Sequence, residues 1–133
     1  MENFDVSAMN PEERVQMAIL GGLCCSKTIA KLCLEDLGKQ NDDLVESMEA
    51  FCKGMGEGQV CGTLAAACAM LYVADPAQGK NQQRDLMDWF YDRFGALDCE
   101  GLVHGDPFSN LEFCHNCVME TYIKLREDFL MVD

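Results

Sequence analysis

The chain has 133 residues, of which 49% are hydrophobic and 25% charged, so it can form one domain with a real core and is not disordered. Its net charge of −13 disfavours nucleic-acid phosphates and anionic lipid surfaces as partners. The first residues lack a secretory signal, and the longest apolar run, residues 64–74, is too short to cross a bilayer. We therefore expect a cytoplasmic protein without nucleic-acid partners or membrane insertion.

Helical spacing of apolar residues, with no period-two pattern, predicts an all-α fold. We expect a single-domain bundle of about five to six helices over residues 10–133, behind a flexible N-terminal tail at residues 1–9. Asn10 and Glu13 form a capping-box pattern at the first helix, and Gly95 is expected to end the fifth. The predicted helices span about residues 10–20, 23–37, 41–51, 61–74, 81–94 and 110–131.

A glycine-rich loop at residues 54–60 leads directly into Cys61 and an alanine-rich apolar run. This order places the Cys61 sulfur at a helix start, where unpaired N–H groups and partial positive charge stabilise a thiolate. Gly58 and Gly62 flank Cys61 and are candidate cofactor contacts, because glycine backbone N–H groups can face a thiolate or a cluster sulfur. Chemistry at sulfur is the leading interpretation of this segment.

A second cysteine occupies a similar position. Cys25 follows two glycines near the start of the second predicted helix, so the same helix-dipole argument applies to it. Its neighbour Cys24 should point elsewhere, since adjacent helical residues are about 100° apart. Lys27 and Lys31 flank Cys25 and either favour its thiolate or are ordinary surface charges.

Cys114 and Cys117 form a Cys-x-x-Cys pair that encloses His115. Residues three apart share a helix face, so this spacing suits a dithiol–disulfide couple or two ligands of one metal ion. The order of the residues does not fit covalent haem attachment, and no second pair completes a zinc pattern. Cys99 lies beside turn residues, and the loop residue His104 is more simply a solvent-exposed histidine.

The remaining cysteines lie in apolar helical stretches, and we interpret them as buried core residues: Cys33, Cys52 and Cys68. Cys68 follows Cys61 by two helical turns and could still approach it. The total of nine cysteines is odd, so disulfides alone could not pair them all.

From about Gly21 to Leu130 the chain resembles the C_GCAxxG_C_C family of redox-active proteins, named for four hallmark cysteines. The hallmark positions match Cys25, Cys61, Cys99 and Cys114, and the last fits better than Cys117 because Val118 supplies an aliphatic residue four positions later. Thr63 and Ala66 stand where the family motif has alanine and glycine. Cys24 and Cys117 are extra cysteines and are secondary thiol candidates.

The resemblance implies thiol-based redox activity and an association with transport systems, and it carries over neither haem nor a substrate. Three functions remain open. In the first, Cys61 attacks a disulfide and Cys25, Cys99 or Cys114 resolves the mixed disulfide. In the second, the four hallmark thiolates bind an iron–sulfur cluster or zinc. The third is a non-catalytic helical accessory of a transport system.

The first two hypotheses share one structural prediction, which is that the four hallmark cysteines converge in space. The expected partner is an unidentified redox protein or a transport-associated protein. A homodimer is compatible with a small all-α chain.

Overall fold

A computed structural model describes residues 10–52, 60–98 and 111–130, without the side chains of residues 111–114. Its α-helices are α1 (Pro11–Leu20), α2 (Cys25–Asp36), α3 (Asp42–Ser47), α4 (Gly62–Ala74), α5 (Gly79–Phe94) and α6 (Leu111–Lys124). The predicted all-α bundle is confirmed, with six α-helices and no β-strand in these ranges. The predicted tail at residues 1–9 lies outside the described residues.

Local sequence signals explain where two helices begin and end. The Asn10 side chain accepts a hydrogen bond from the Glu13 N–H at 2.8 Å, and the Glu13 carboxylate accepts one from the Asn10 N–H. This is the predicted capping box. Gly95 ends α5 with φ of +88°, a left-handed conformation that glycine adopts without strain.

Helix α4 lies at the centre of the bundle and packs against α2, α5 and α6. Ala66 and Ala67 are completely buried, and their small side chains allow neighbouring helices to approach closely. Leu64, Met70 and Leu71 contribute larger buried side chains of α4. The almost wholly apolar sequence of α4 follows from this central position.

The segment predicted as one helix over residues 41–51 is shorter and divided. After α3, residues Met48–Phe51 form a 3₁₀-helix. At the junction the Ser47 hydroxyl donates to the Leu44 carbonyl oxygen at 2.7 Å, a local hydrogen bond of the kind that competes with regular helical bonding. The chain therefore turns into the next segment earlier than the apolar spacing predicted.

A buried charged cluster joins α1, α2 and α6 at the end of the bundle where α2 finishes. The Arg14 guanidinium, only 2% exposed, donates to the Asp36 carboxylate, the Tyr122 hydroxyl and Glu35, the last at 2.9 Å. Tyr122 also donates to Asp36, and Arg126 donates to Tyr122 at 3.3 Å. Burial would lower the pKa of Arg14, but its bonds to Asp36 and Glu35 raise it overall.

The last turn after α6 is a π-helix, Leu125–Phe129, which carries Arg126 into this charged cluster. The predicted final helix over residues 110–131 is therefore an α-helix that widens at its end. Within the described ranges, no helix is both long and apolar enough to cross a membrane.

Candidate functional site

The N-terminal ends of α2 and α4 meet, and each carries a hallmark cysteine. Cys25 is the first residue of α2, and Cys61 is the N-cap residue of α4, as the sequence predicted. A Cβ atom added at Gly62 would overlap the Phe51 carbonyl oxygen and lie 3.0 Å from the Cys25 sulfur. Glycine at this position therefore lets the Cys25 sulfur rest against the first turn of α4.

The segment leading into Cys61 is held by backbone pairing. The Cys61 N–H donates to the Leu97 carbonyl oxygen at 2.8 Å, and Val60 forms an isolated antiparallel bridge with Asp98. Cys61 is 5% exposed, whereas Val60 beside it is 49% exposed. The residue that directly follows this bridge in the sequence is Cys99, which lies outside the described residues.

Cys24 and Cys52 form a disulfide beside this site. The prediction that Cys52 is a buried core residue is wrong, because Cys52 is half-buried at the end of the 3₁₀-helix and is bonded to the N-cap residue of α2. Sequence reasoning missed this pair because the two residues are 28 positions apart. No spacing signal connects them, and the disulfide connectivity of a chain cannot be deduced from its sequence.

One hydroxyl group lies against both sulfurs of the disulfide. The buried Ser26 hydroxyl donates to the Met48 carbonyl oxygen at 2.7 Å. Its oxygen is 3.5 Å from the Cys24 sulfur and 3.3 Å from the Cys52 sulfur. The start of α2 is thus bound to the 3₁₀-helix by a covalent bond and a hydrogen bond.

The lysines near Cys25 interact with carboxylates. The Lys27 ammonium donates to Glu49 at 2.7 Å and to Glu46 at 3.1 Å. These hydrogen bonds raise the pKa of Lys27 and lower that of Glu49. Lys31 lies 3.8 Å from Glu35. Both lysines therefore form ion pairs with carboxylates.

Three further cysteines are buried in the core: Cys33, Cys68 and Cys117. Burial raises the pKa of Cys68 to about 11 and raises that of Cys33 further, with an added contribution from the nearby Asp36 carboxylate. Both thiols therefore stay protonated near neutral pH, and the prediction that they are core residues is confirmed. Cys117, a secondary thiol candidate, is 2% exposed on α6.

Several candidate residues lie wholly or partly outside the residues that the structure describes. Cys114 lies on α6, but its side chain is not among those described. Gly58 and His104 lie outside the described residues altogether. His115 is half-buried, and its Nε2 atom is buried without a hydrogen-bond partner among the described residues. Convergence of all four hallmark cysteines therefore stays a prediction. Within the described ranges, no cluster of three His, Cys, Asp or Glu residues could hold a metal ion.

An apolar groove of about 440 Å³ runs between α4 and α5 next to the exposed Val60. Its walls include Leu64, Cys68, Tyr72 and Met87, so one side of α4 faces the groove while its N-terminal end faces Cys25. The groove places apolar surface close to Cys61 without enclosing it.

A family model described as "Putative redox-active protein (C_GCAxxG_C_C)" matches residues 23–127, which is most of the chain. The matched range includes the disulfide and both cysteines at the helix starts. No curated protein and no solved structure matches the chain.

Proposed function

Because this chain belongs to the C_GCAxxG_C_C family of redox-active proteins, we propose that it is a thiol-based redox protein acting through Cys61 and Cys25. The observation that carries the proposal is the contact of the Cys25 sulfur with Gly62, which brings two cysteine-bearing helix starts together. Positive partial charge at both helix ends stabilises the thiolate form that thiol–disulfide exchange requires.

The proposed reaction reduces a disulfide substrate in two exchange steps. The Cys61 thiolate attacks one substrate sulfur, forms a mixed disulfide and releases the other substrate sulfur as a thiolate. Cys25 then attacks the Cys61 sulfur, releases the second substrate thiolate and leaves a Cys25–Cys61 disulfide. Two electrons pass to the substrate, which takes up two protons, and a dithiol reductant restores the protein.

Cys99 and Cys114 are the alternative resolving residues, assigned by the family pattern. The family pattern assigns Cys114, and not the buried Cys117, as the fourth reactive cysteine. The proposed setting is the cytoplasm, and the proposed partner is a disulfide-bearing redox protein or a transport-associated protein. The acidic surface, at a net charge of −13, favours a partner with a neutral or basic contact surface.

The test is turnover of a disulfide-bonded peptide, with dithiothreitol as the reductant. Cys61→Ser is expected to lower the protein-catalysed rate by at least about 100-fold, because the attacking thiolate is lost. Cys68→Ala is the matched control in the same helix, and its rate should stay within about twofold, because the raised pKa of Cys68 keeps its thiol protonated. Full activity of Cys61→Ser would contradict the proposal.

Metal analysis decides between this function and a cluster-binding function. Protein purified without oxygen is expected to contain no stoichiometric iron, acid-labile sulfide or zinc. Near-stoichiometric metal that is lost in both Cys25→Ser and Cys61→Ser would instead make these residues ligands and would overturn the exchange mechanism.

A further inference from the structure

We propose that the Cys24–Cys52 disulfide is a second, reversible redox couple that exchanges with dithiol reductants and controls the packing of the Cys25–Gly62 contact. The regulatory part rests on the proposed function of Cys25 and Cys61, whereas the redox part stands without it. Neither Cys24 nor Cys52 is a hallmark cysteine, so the family pattern does not assign this couple.

The position of the disulfide makes it accessible to an external thiol. Cys24 and Cys52 are both half-exposed, in contrast to the buried Cys33, Cys68 and Cys117. Cys24 is the N-cap residue of α2, and its side chain makes no capping hydrogen bond. The bond therefore joins two partly exposed residues, and this is where we expect an external thiol to attack.

The surroundings favour release of a thiolate from this bond. Partial positive charge at the start of the 12-residue helix α2 stabilises an anionic sulfur on Cys24. The Ser26 hydroxyl, 3.5 Å from the Cys24 sulfur and 3.3 Å from the Cys52 sulfur, can turn its proton from the Met48 carbonyl to whichever sulfur becomes anionic. A disulfide whose leaving thiol forms a stable thiolate is reduced quickly.

The exchange reaction is balanced by the dithiol. One reductant thiolate attacks the Cys52 sulfur, which forms a mixed disulfide and releases Cys24 as a thiolate. The second reductant thiol attacks the reductant sulfur of the mixed disulfide and releases Cys52. The reductant becomes a disulfide, and two electrons and two protons end on Cys24 and Cys52.

Phe51 connects the disulfide to the contact between Cys25 and Gly62. The disulfide holds Cys52 against the start of α2, and the preceding carbonyl oxygen, that of Phe51, packs against Gly62. The Cys25 sulfur lies on the same glycine. Opening the disulfide removes the covalent restraint on Phe51 and loosens the wall against which the Cys25 sulfur rests.

The first experiment is a redox titration of the full chain in glutathione buffers, read by differential alkylation and mass spectrometry of the peptides containing Cys24 and Cys52. We expect the couple to pass from oxidised to reduced within the buffer range and to reach the same ratio from both directions. A disulfide that stays oxidised throughout behaves as a structural one and would overturn the proposal. So would a reduced protein that never forms the bond.

The role of Ser26 is tested with Ser26→Ala. In the reduced variant, the pH at which alkylation of Cys24 reaches half its maximal rate should move upward, because the thiolate has lost its hydroxyl neighbour. Ser47→Ala is the control, since its hydroxyl bonds the Leu44 carbonyl away from both sulfurs. An unchanged profile in Ser26→Ala would remove this part of the argument and contradict the assigned role.

The regulatory part is tested by hydrogen exchange on the double variant Cys24→Ser/Cys52→Ser, compared with the oxidised natural sequence in the absence of reductant. We expect about tenfold faster exchange in Met48–Cys52 and in Val60–Ala65, with α5 and α6 unchanged. Equal acceleration everywhere would indicate general destabilisation, and no acceleration would indicate no control; either result refutes the regulatory part.

The two proposals fail separately. A titrating Cys24–Cys52 couple in a protein whose Cys61→Ser variant keeps full turnover would support the second couple and refute the exchange mechanism. A Cys24–Cys52 disulfide that stays oxidised, in a protein that needs Cys61 for turnover, would support the exchange mechanism and refute the second couple.

Discussion

The two ends of α2 are held in opposite ways. At its start, Cys25 rests on Gly62 and Cys24 is bonded to Cys52, and these cysteines are only partly buried. At its end, Asp36 receives hydrogen bonds from Arg14 and Tyr122, and its side chain is only 4% exposed. We call these the cysteine end and the charged end.

The charged end anchors the bundle, whereas the cysteine end carries the proposed chemistry. The charged end ties α1, α2 and α6 together through buried charges, which must stay paired because an unpaired buried charge is costly. The cysteine end is held by the close approach of the Cys25 sulfur to Gly62 and by the Cys24–Cys52 disulfide, which we propose that thiol–disulfide exchange can open. The same helix therefore has a fixed end and an end whose contacts can change with the redox state.

The largest expected effect comes from breaking the charged end. Arg14→Leu should lower the free energy of unfolding by about 3–5 kcal/mol, because the buried Asp36 carboxylate would lose its close cation and keep the Tyr122 hydroxyl and the more distant Arg126, at 3.8 Å. Urea unfolding measures this loss. The control is Arg93→Ala, which removes an exposed ion pair with Glu120 and should cost less than about 1 kcal/mol. Equal losses in the two variants would show that the charged end is no special anchor.

Alkaline pH should destabilise the protein through the buried thiol of Cys68. The pKa of Cys68 is raised from about 9 to about 11 by burial, so its folded state favours the protonated thiol. The stability that the folded protein gains by keeping this thiol protonated is fully present below pH 9 and is lost between pH 9 and 11. The loss amounts to about 2–3 kcal/mol. Urea unfolding at pH 8 and pH 11 should show a smaller decline for Cys68→Ala, and an equal decline would contradict the assignment.

A smaller stability loss, confined to the cysteine end, is expected from Gly62→Ala. The new methyl group meets the Phe51 carbonyl oxygen, which cannot rotate away, and should cost about 1–3 kcal/mol. Because it also displaces the Cys25 sulfur, turnover should fall by about 10- to 100-fold.

Gly79→Ala is the matched control for this prediction. Its methyl group meets the Tyr72 ring at 2.7 Å, and this partly exposed side chain can turn aside. Turnover of Gly79→Ala should therefore match that of the natural sequence. If Gly62→Ala were equally active, the close contact at Gly62 would not matter for the chemistry.

The smallest effect is expected for Lys27→Met. Its ammonium is engaged by Glu46 and Glu49 on the surface, so its removal should leave turnover within about twofold. A large fall in rate would show that Lys27 supports the Cys25 thiolate after all.

Local signals in the sequence predicted most of the fold. The Asn10 capping box, the stop at Gly95 and the helix start at Cys61 each depend on residues within a few positions of one another. Apolar spacing then predicted an all-α bundle, because a helix with one buried face has apolar residues about three or four positions apart. Helix boundaries and the fold class are therefore the features that a single sequence was sufficient to predict.

Contacts between distant segments were not predictable. Arg14 looks like one charged residue beside the apolar stripe of α1, and nothing in the sequence pairs it with Asp36 or with Tyr122, 108 residues away. The Cys24–Cys52 disulfide was missed for the same reason. The division after Ser47 was missed because apolar spacing does not show where an α-helix tightens into a 3₁₀-helix.

The backbone pairing of Val60 with Asp98 and of Cys61 with Leu97 also bears on the order of folding. These pairs join the two ends of the segment that contains α4 and α5, so they form only after that long loop has closed. The helices themselves form from local contacts and need no such closure. The surroundings of Cys61 are therefore completed late, after the helices that this pairing joins have formed.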